Sequence, residues 1–252
     1  MRIEQRNGER MCNSFNNFFL WTYFRIQITD KKDTILEAIC EKAYGDATAQ
    51  GAFNTLLTTT ALKEQASESK EIAIKTLRNA LSSFAESTDN FDSWHDDLCE
   101  KIKGCYKGGI NDSIIDRFSY GNAQKLVNMA MKYLYLLSEI EECFSDKDIK
   151  ELLASVNNHS EDLHIPIDSF IIDAIWRETD LALPLQDKTS AKRDRKDYKT
   201  PSDNVRGWST WDEGTYKSVQ SDLLNYVKAQ KKRPLEWESE MWIREAKNRK
   251  KE

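Results

Sequence analysis

The fold turns on the stretch Phe118-Ser119-Tyr120-Gly121-Asn122-Ala123-Gln124-Lys125-Leu126-Val127-Asn128-Met129. Ile114 and Ile115 before it fit a short helix over 111–118, and the apolar spacing after it fits a strong helix over 122–138. Between them, Ser119 to Asn122 reads as a turn around Gly121. A helix, a glycine turn and a second helix present backbone N–H groups outward. Together with the positive end of the second helix they can bind a phosphate, with Gly121 and Asn122 at the contact. Lys125 then falls in the first turn of that helix. The helix dipole disfavours its charge there, burial would disfavour it further, and an uncharged amine is a nucleophile.

Working outward, the chain reads as helical throughout. The aromatic cluster Phe15, Phe18, Phe19, Trp21, Tyr23 and Phe24 has mixed periodicity and reads as irregular or briefly extended. Asp30 or Asp33 caps a helix through Ala43, with Gly45 at its end. A helix over 48–62 follows, then a polar linker over 63–71. Ile72, Ile74, Leu77, Leu81 and Phe84 form another helix, and Phe91, Trp94, Leu98 and Ile102 form one over 90–103. Gly104 to Gly109 breaks the chain. Beyond the strong helix, the spacing predicts helices over 146–156, from Pro166 to 177, over 210–230 and over 235–248, with a long polar loop over 186–207.

Composition agrees. The 252 residues are 39% hydrophobic and 10% aromatic, enough for a core, while 9 Gly and 4 Pro are too few for a turn-rich all-β fold. Mean hydropathy is -0.69 and no run of eighteen apolar residues occurs, which excludes a membrane-spanning helix. Five scattered cysteines without a CxxC pair speak against a zinc site or a disulfide scaffold. The start of the chain shows no secretory pattern, so a cytoplasmic location is expected. The net charge of -5 is uneven: residues 187–252 hold 17 Lys and Arg against 12 Asp and Glu. That basic quarter is either a solvated tail or a contact for nucleic acid.

A second segment carries chemistry: His164-Ile165-Pro166-Ile167-Asp168-Ser169-Phe170-Ile171-Ile172. Asp168 follows a proline that opens a helix, where a carboxylate is favoured by the helix N-terminus. Capping alone would account for it.

Taken together, the hairpin glycine Gly121, the lysine Lys125 and the apolar Pro166-Ile167-Asp168 resemble the helix-hairpin-helix DNA glycosylase superfamily, most closely its archaeal 8-oxoguanine glycosylase branch. The resemblance covers residues 110–178. It departs from the usual pattern in having one hairpin glycine rather than two, and in the 43 positions between Lys125 and Asp168. No cysteine follows Cys143, so the four-cysteine iron–sulfur site of some relatives is absent.

The resemblance implies an all-α, two-lobed unit over 1–252, with a hairpin lobe over 65–140 and a second lobe from 1–64 plus 141–252. It implies a DNA glycosylase with AP-lyase activity, without cofactor or metal, expected as a monomer on double-stranded DNA bearing a damaged or modified base. Lys125 would form a Schiff base with the sugar, and Asp168 would be the catalytic carboxylate. Base-excision repair and defence against modified phage DNA both fit.

Other residues carry two readings each. Trp208, Trp211 and Asp212 either line a base pocket or pack and cap a helix. Gln124 and His164 touch the DNA or belong to surface and loop. Lys132 contacts a phosphate or is solvated. His95 beside Asp96 and Asp97 is a poor metal site with nothing else to complete it. The alternative to an enzyme is a non-catalytic helical DNA-binding or interaction protein that uses the hairpin for phosphate contact. It predicts an exposed Lys125 more than about 10 Å from Asp168, because a catalytic pair must converge on one substrate.

Overall fold

The computed structural model describes residues 14–48, 60–84, 90–106, 118–185 and 205–250. The helix that carries Gly121 and Lys125 is its axis. It spans Tyr120–Ser138 (α5; α1 to α4 precede it, below), and its buried positions lie on every face rather than on one stripe. Such a helix needs neighbours all round. They are α2 (Lys32–Thr48), α4 (Phe91–Gly104), α6 (Lys147–Asn158) and the single-turn helix Trp208–Thr210. α3 (Thr60–Ser82) packs on α2 and α4. α7 (Ser169–Glu178) and α9 (Pro234–Arg249) pair, while α8 (Glu213–Ala229) touches α5 and α9. One continuous core runs from Leu20 to Met241. Among the described residues the regular structure is helical, apart from one antiparallel bridge between Leu185 and Val205.

Several boundaries differ from the sequence reading. Residues 14–24 form a helix, α1. Only Leu20 and Phe24 of it are fully buried, one turn apart, while Phe15, Phe18, Phe19, Trp21 and Tyr23 face outward. With most aromatics exposed, their spacing carries no core stripe. α2 runs through Gly45 to Thr48, because the glycine sits in open space and nothing forces a break. The polar stretch 63–71 is the first half of α3; its Lys, Glu, Gln and Ala are strong helix formers. The helices expected over 48–62 and 111–118 lie largely outside the described residues.

The far end of the molecule is fixed by a buried ion pair. Asp173 is fully buried and meets Arg249 through Nε at 3.1 Å and Nη2 at 2.5 Å. The same guanidinium donates to Ser169 and lies 3.9 Å from the centre of the Phe170 ring. This holds α9 against α7, the helix that Asp168 opens.

Candidate active site

Ser119, not Asn122, starts α5. Its Oγ accepts from the Asn122 amide at 3.2 Å, so the helix begins at Tyr120 and Lys125 falls in its second turn. The turn around Gly121 is not open. The Gly121 N–H donates to the Trp211 carbonyl at 3.0 Å, and Ser119 Oγ donates to the Ser209 carbonyl at 2.5 Å. Asn122 Nδ2 lies 3.4 Å from that same carbonyl. A Cβ on Gly121 would stand 2.0 Å from the Trp208 carbonyl oxygen. Gly121 is therefore required by the close approach of residues 208–211, and its amide serves that segment.

Asp168 is the N-cap of α7. Its Oδ1 accepts from the amides of Phe170 at 2.9 Å and Ile171 at 3.0 Å. Its Oδ2 faces Lys125 Nζ at 3.1 Å, and Nζ also lies 3.5 Å from the Pro166 carbonyl. The two side chains are 6% and 20% exposed, so the pair is largely shielded while its carboxylate keeps an opening. Burial pushes the Asp168 carboxyl up, but the Lys125 charge and the two amides outweigh it and hold the group below the usual carboxylate range. Capping and a catalytic partnership are thus compatible, one oxygen for each.

Beside the pair runs a buried hydrogen-bonded chain that local sequence does not announce. Gln124 is fully buried; its Nε2 donates to the Gly121 carbonyl and its Oε1 accepts from Asn128 Nδ2, at 2.8 and 2.9 Å. Asn128 Nδ2 also reaches the Tyr216 hydroxyl at 2.9 Å, and Asn128 Oδ1 meets His95 Nε2 at 2.9 Å. Tyr216 pairs with His164 Nδ1 at 2.9 Å, and His164 Nε2 with Asp92 at 2.8 Å. One proton assignment satisfies every link with neutral rings: Tyr216 donates to His164, His164 donates to Asp92, and His95 donates to Asn128. Complete burial, reinforced by the nearby His164, lowers His95 to about 4. Asp96 accepts from Tyr120 at 2.8 Å and from Lys217 at 2.6 Å, and burial of its carboxyl is outweighed by these partners and His95, so it titrates well below the usual range.

The remaining candidates fall elsewhere. No family model, no curated protein and no solved structure matches the chain. Trp211 is fully buried and donates its indole N–H to the Arg206 carbonyl at 2.7 Å, which leaves no face for a base. Trp208 is partly buried against the core, and Asp212 caps α8 through the Thr215 amide at 2.8 Å. Lys132 is tied to the buried Glu238 at 2.5 Å rather than presented to a phosphate. Gln124 and His164 belong to the buried chain. Among the described residues no group of three His, Cys, Asp or Glu is arranged to hold a metal, and no helix is long and apolar enough to cross a membrane.

Sequence reasoning passed over Asn128 and Tyr216, and weighed Asp96 only as a metal ligand. Asn128 carried a signal: it is a polar residue one turn beyond Gln124, inside an otherwise apolar run.

Proposed function

We propose that this chain is a DNA glycosylase that acts on an oxidised or otherwise modified base flipped out of duplex DNA, with Lys125 as nucleophile and Asp168 as its carboxylate partner. One observation carries the reading: residues 43 positions apart bring an ammonium and a carboxylate to 3.1 Å at the opening of a helix. Stability alone is a poor reason for such a pair. Burying two charges costs several kcal/mol that their attraction repays only in part, and well-packed apolar residues commonly do as well. A shielded carboxylate perturbed by a specific charge partner is the kind of group that clusters at functional sites. The binding-module alternative calls for an exposed lysine remote from Asp168, and the geometry is the opposite.

The chemistry follows from the two groups. A lysine nitrogen must be free of its extra proton before it can attack. Asp168 Oδ2 is the nearest base. The freed amine bonds to C1′ of the flipped nucleotide, and the bond from C1′ to the base breaks with its electrons leaving on the base, which is then protonated. Asp168, now the neutral acid, can return that proton to the departing base; a carboxylate that instead keeps its charge would stabilise positive charge on the sugar. Opening of the sugar ring gives a Schiff base. Loss of a C2′ proton then expels the 3′ phosphate and cuts the strand, which is the AP-lyase activity.

The test is single-turnover incubation with duplexes carrying 8-oxoguanine, uracil, an abasic site or modified phage bases. The expected result is base release and strand cleavage on one substrate by the natural protein and loss of both in Lys125→Gln. Equal activity in Lys125→Gln would refute the lysine mechanism.

A further inference from the structure

α1 is turned the wrong way round for a helix on the surface of a lone chain. Phe15, Phe18, Phe19 and Thr22 follow one another at i, i+3, i+4 and i+7, the spacing of a stripe that packs on a core. Here that stripe faces outward. Phe15 and Phe18 are 71% and 68% exposed, and Phe19, Trp21 and Tyr23 are close to half exposed. The asparagines face the body instead. Asn16 Nδ2 donates to Cys143 Sγ at 3.1 Å, and Asn17 Oδ1 accepts from the Ile28 amide at 2.9 Å. Leu20 and Phe24 complete the inner side. α1 cannot turn its aromatics inward without breaking both bonds and lifting Leu20 and Phe24 out of the core.

The chemistry of the outer face narrows what covers it. Residues 14–24 contain no Asp, Glu, Lys or Arg, in a chain that is 31% charged. A helix that lies on a membrane sets a side rich in Lys and Arg among the headgroups. The polar side of α1 is two asparagines bonded to the body. A partner that recognises charge would find none to pair with. A second copy of the chain fits. Across a two-fold axis the same patch meets itself, so like charges would collide at its centre, whereas uncharged aromatic surface matches its own kind. The area is sufficient. At about 200 Å² for each aromatic side chain, the exposed rings of α1 offer roughly 500 Å² on each copy. Two such faces cover about 1,000 Å² before their rims are counted, which is where specific interfaces begin. The rim is polar: Arg25 lies 5.8 Å from the centre of the Trp21 ring, and Lys42 lies 4.6 Å from that of Tyr23. We infer that two copies of the chain pair through the outer face of α1, in place of the monomer expected from the sequence, with Phe15 and Phe18 at the centre of the contact. Pairing at α1 is independent of Lys125 and Asp168.

Sedimentation velocity on the full chain tests it. At about 50 µM the main species is expected at twice the 29.3 kDa of one chain, and it should dissociate on dilution. Hydrogen exchange in residues 14–24 should slow as the concentration rises. Phe15→Glu combined with Phe18→Glu sets like charges against each other across the axis. This double variant should be a monomer at every concentration, with an unchanged helical circular-dichroism spectrum, because both side chains are mostly exposed. Phe18→Leu keeps the face apolar and should still pair. Flotation with vesicles of phosphatidylcholine and phosphatidylglycerol examines the other cover. A natural chain that stays monomeric at about 100 µM, whether or not it binds the vesicles, would overturn the proposal. A dimer that survives the double substitution would overturn it as well.

Discussion

Asp168 divides its carboxylate between two tasks: Oδ1 caps α7 and Oδ2 holds Lys125 Nζ at 3.1 Å. The amides orient the carboxylate before any substrate arrives, and the lysine is positioned by a rigid, fully packed helix. Substitutions that separate the cap from the charge should therefore separate folding from activity.

Asp168→Asn keeps an oxygen for the cap and removes the charge. It should retain the fold and lose about 10²- to 10⁴-fold in single-turnover rate. Asp168→Ala also loses the cap, at a further cost of about 1 kcal/mol in unfolding free energy. The carboxyl titrates below its ordinary 3.8, so its stabilising contribution is complete above that value and is lost as pH falls through the lower, folded value. The difference in melting temperature between the natural chain and Asp168→Asn should accordingly shrink below about pH 4.

Gly121→Ala sets a methyl group against the Trp208 carbonyl. A backbone atom cannot swing aside as a side chain would, so residues 208–211 must move off the start of α5. Overpacking of this kind costs about 1–3 kcal/mol. Thermal unfolding should show the loss, and altered fluorescence of Trp208 and Trp211 should report the displacement.

Part of this arrangement was legible from residue order. Asp168 marks a helix start and the lysine stands out near the start of the strong helix, although α7 opens at Ser169 rather than Pro166 and Gly121 lies in the first turn of α5 rather than in a turn before it. The direction in which the glycine turn faces was not legible. Gly121 suits an approaching phosphate and an approaching carbonyl equally, and only tertiary structure shows the Trp208 carbonyl there. The chain from Gln124 to Asp92 was hidden for a similar reason. Its residues come from α4, α5, α8 and the 163–168 segment, and every link beyond the Gln124–Asn128 pair joins residues tens of positions apart. The helicity of 63–71 was missed because that segment has no apolar stripe to announce it.

His95 gives a pH signature. Its ring is held near 4 against an ordinary 6.5, so the unfolded chain takes up a proton that the folded chain refuses. Stability is undiminished above about pH 6.5, falls as pH drops from there towards 4, and levels off below, a loss on the order of 3 kcal/mol. His95→Gln keeps a donor for Asn128 and should flatten the stability profile in that window. Chemical unfolding at a series of pH values would show it.

Tyr216→Phe removes the hydroxyl shared by Asn128 and His164. Both partners stay buried with one bond fewer, so the expected cost is about 1–3 kcal/mol. Tyr216→Phe should also speed hydrogen exchange in α5 and α8 while leaving α7 and α9 as they were. Uniform destabilisation across all four helices would show that the chain is not a local clamp.

The measurement closest to the central claim is borohydride trapping. The protein is incubated with the duplex panel, reductant is added, and the adduct is mapped by mass spectrometry. A covalent protein–DNA adduct is expected at Lys125 on one substrate, absent in Lys125→Gln. An adduct at another residue, or base release with no adduct on any duplex, would contradict Lys125 as the nucleophile.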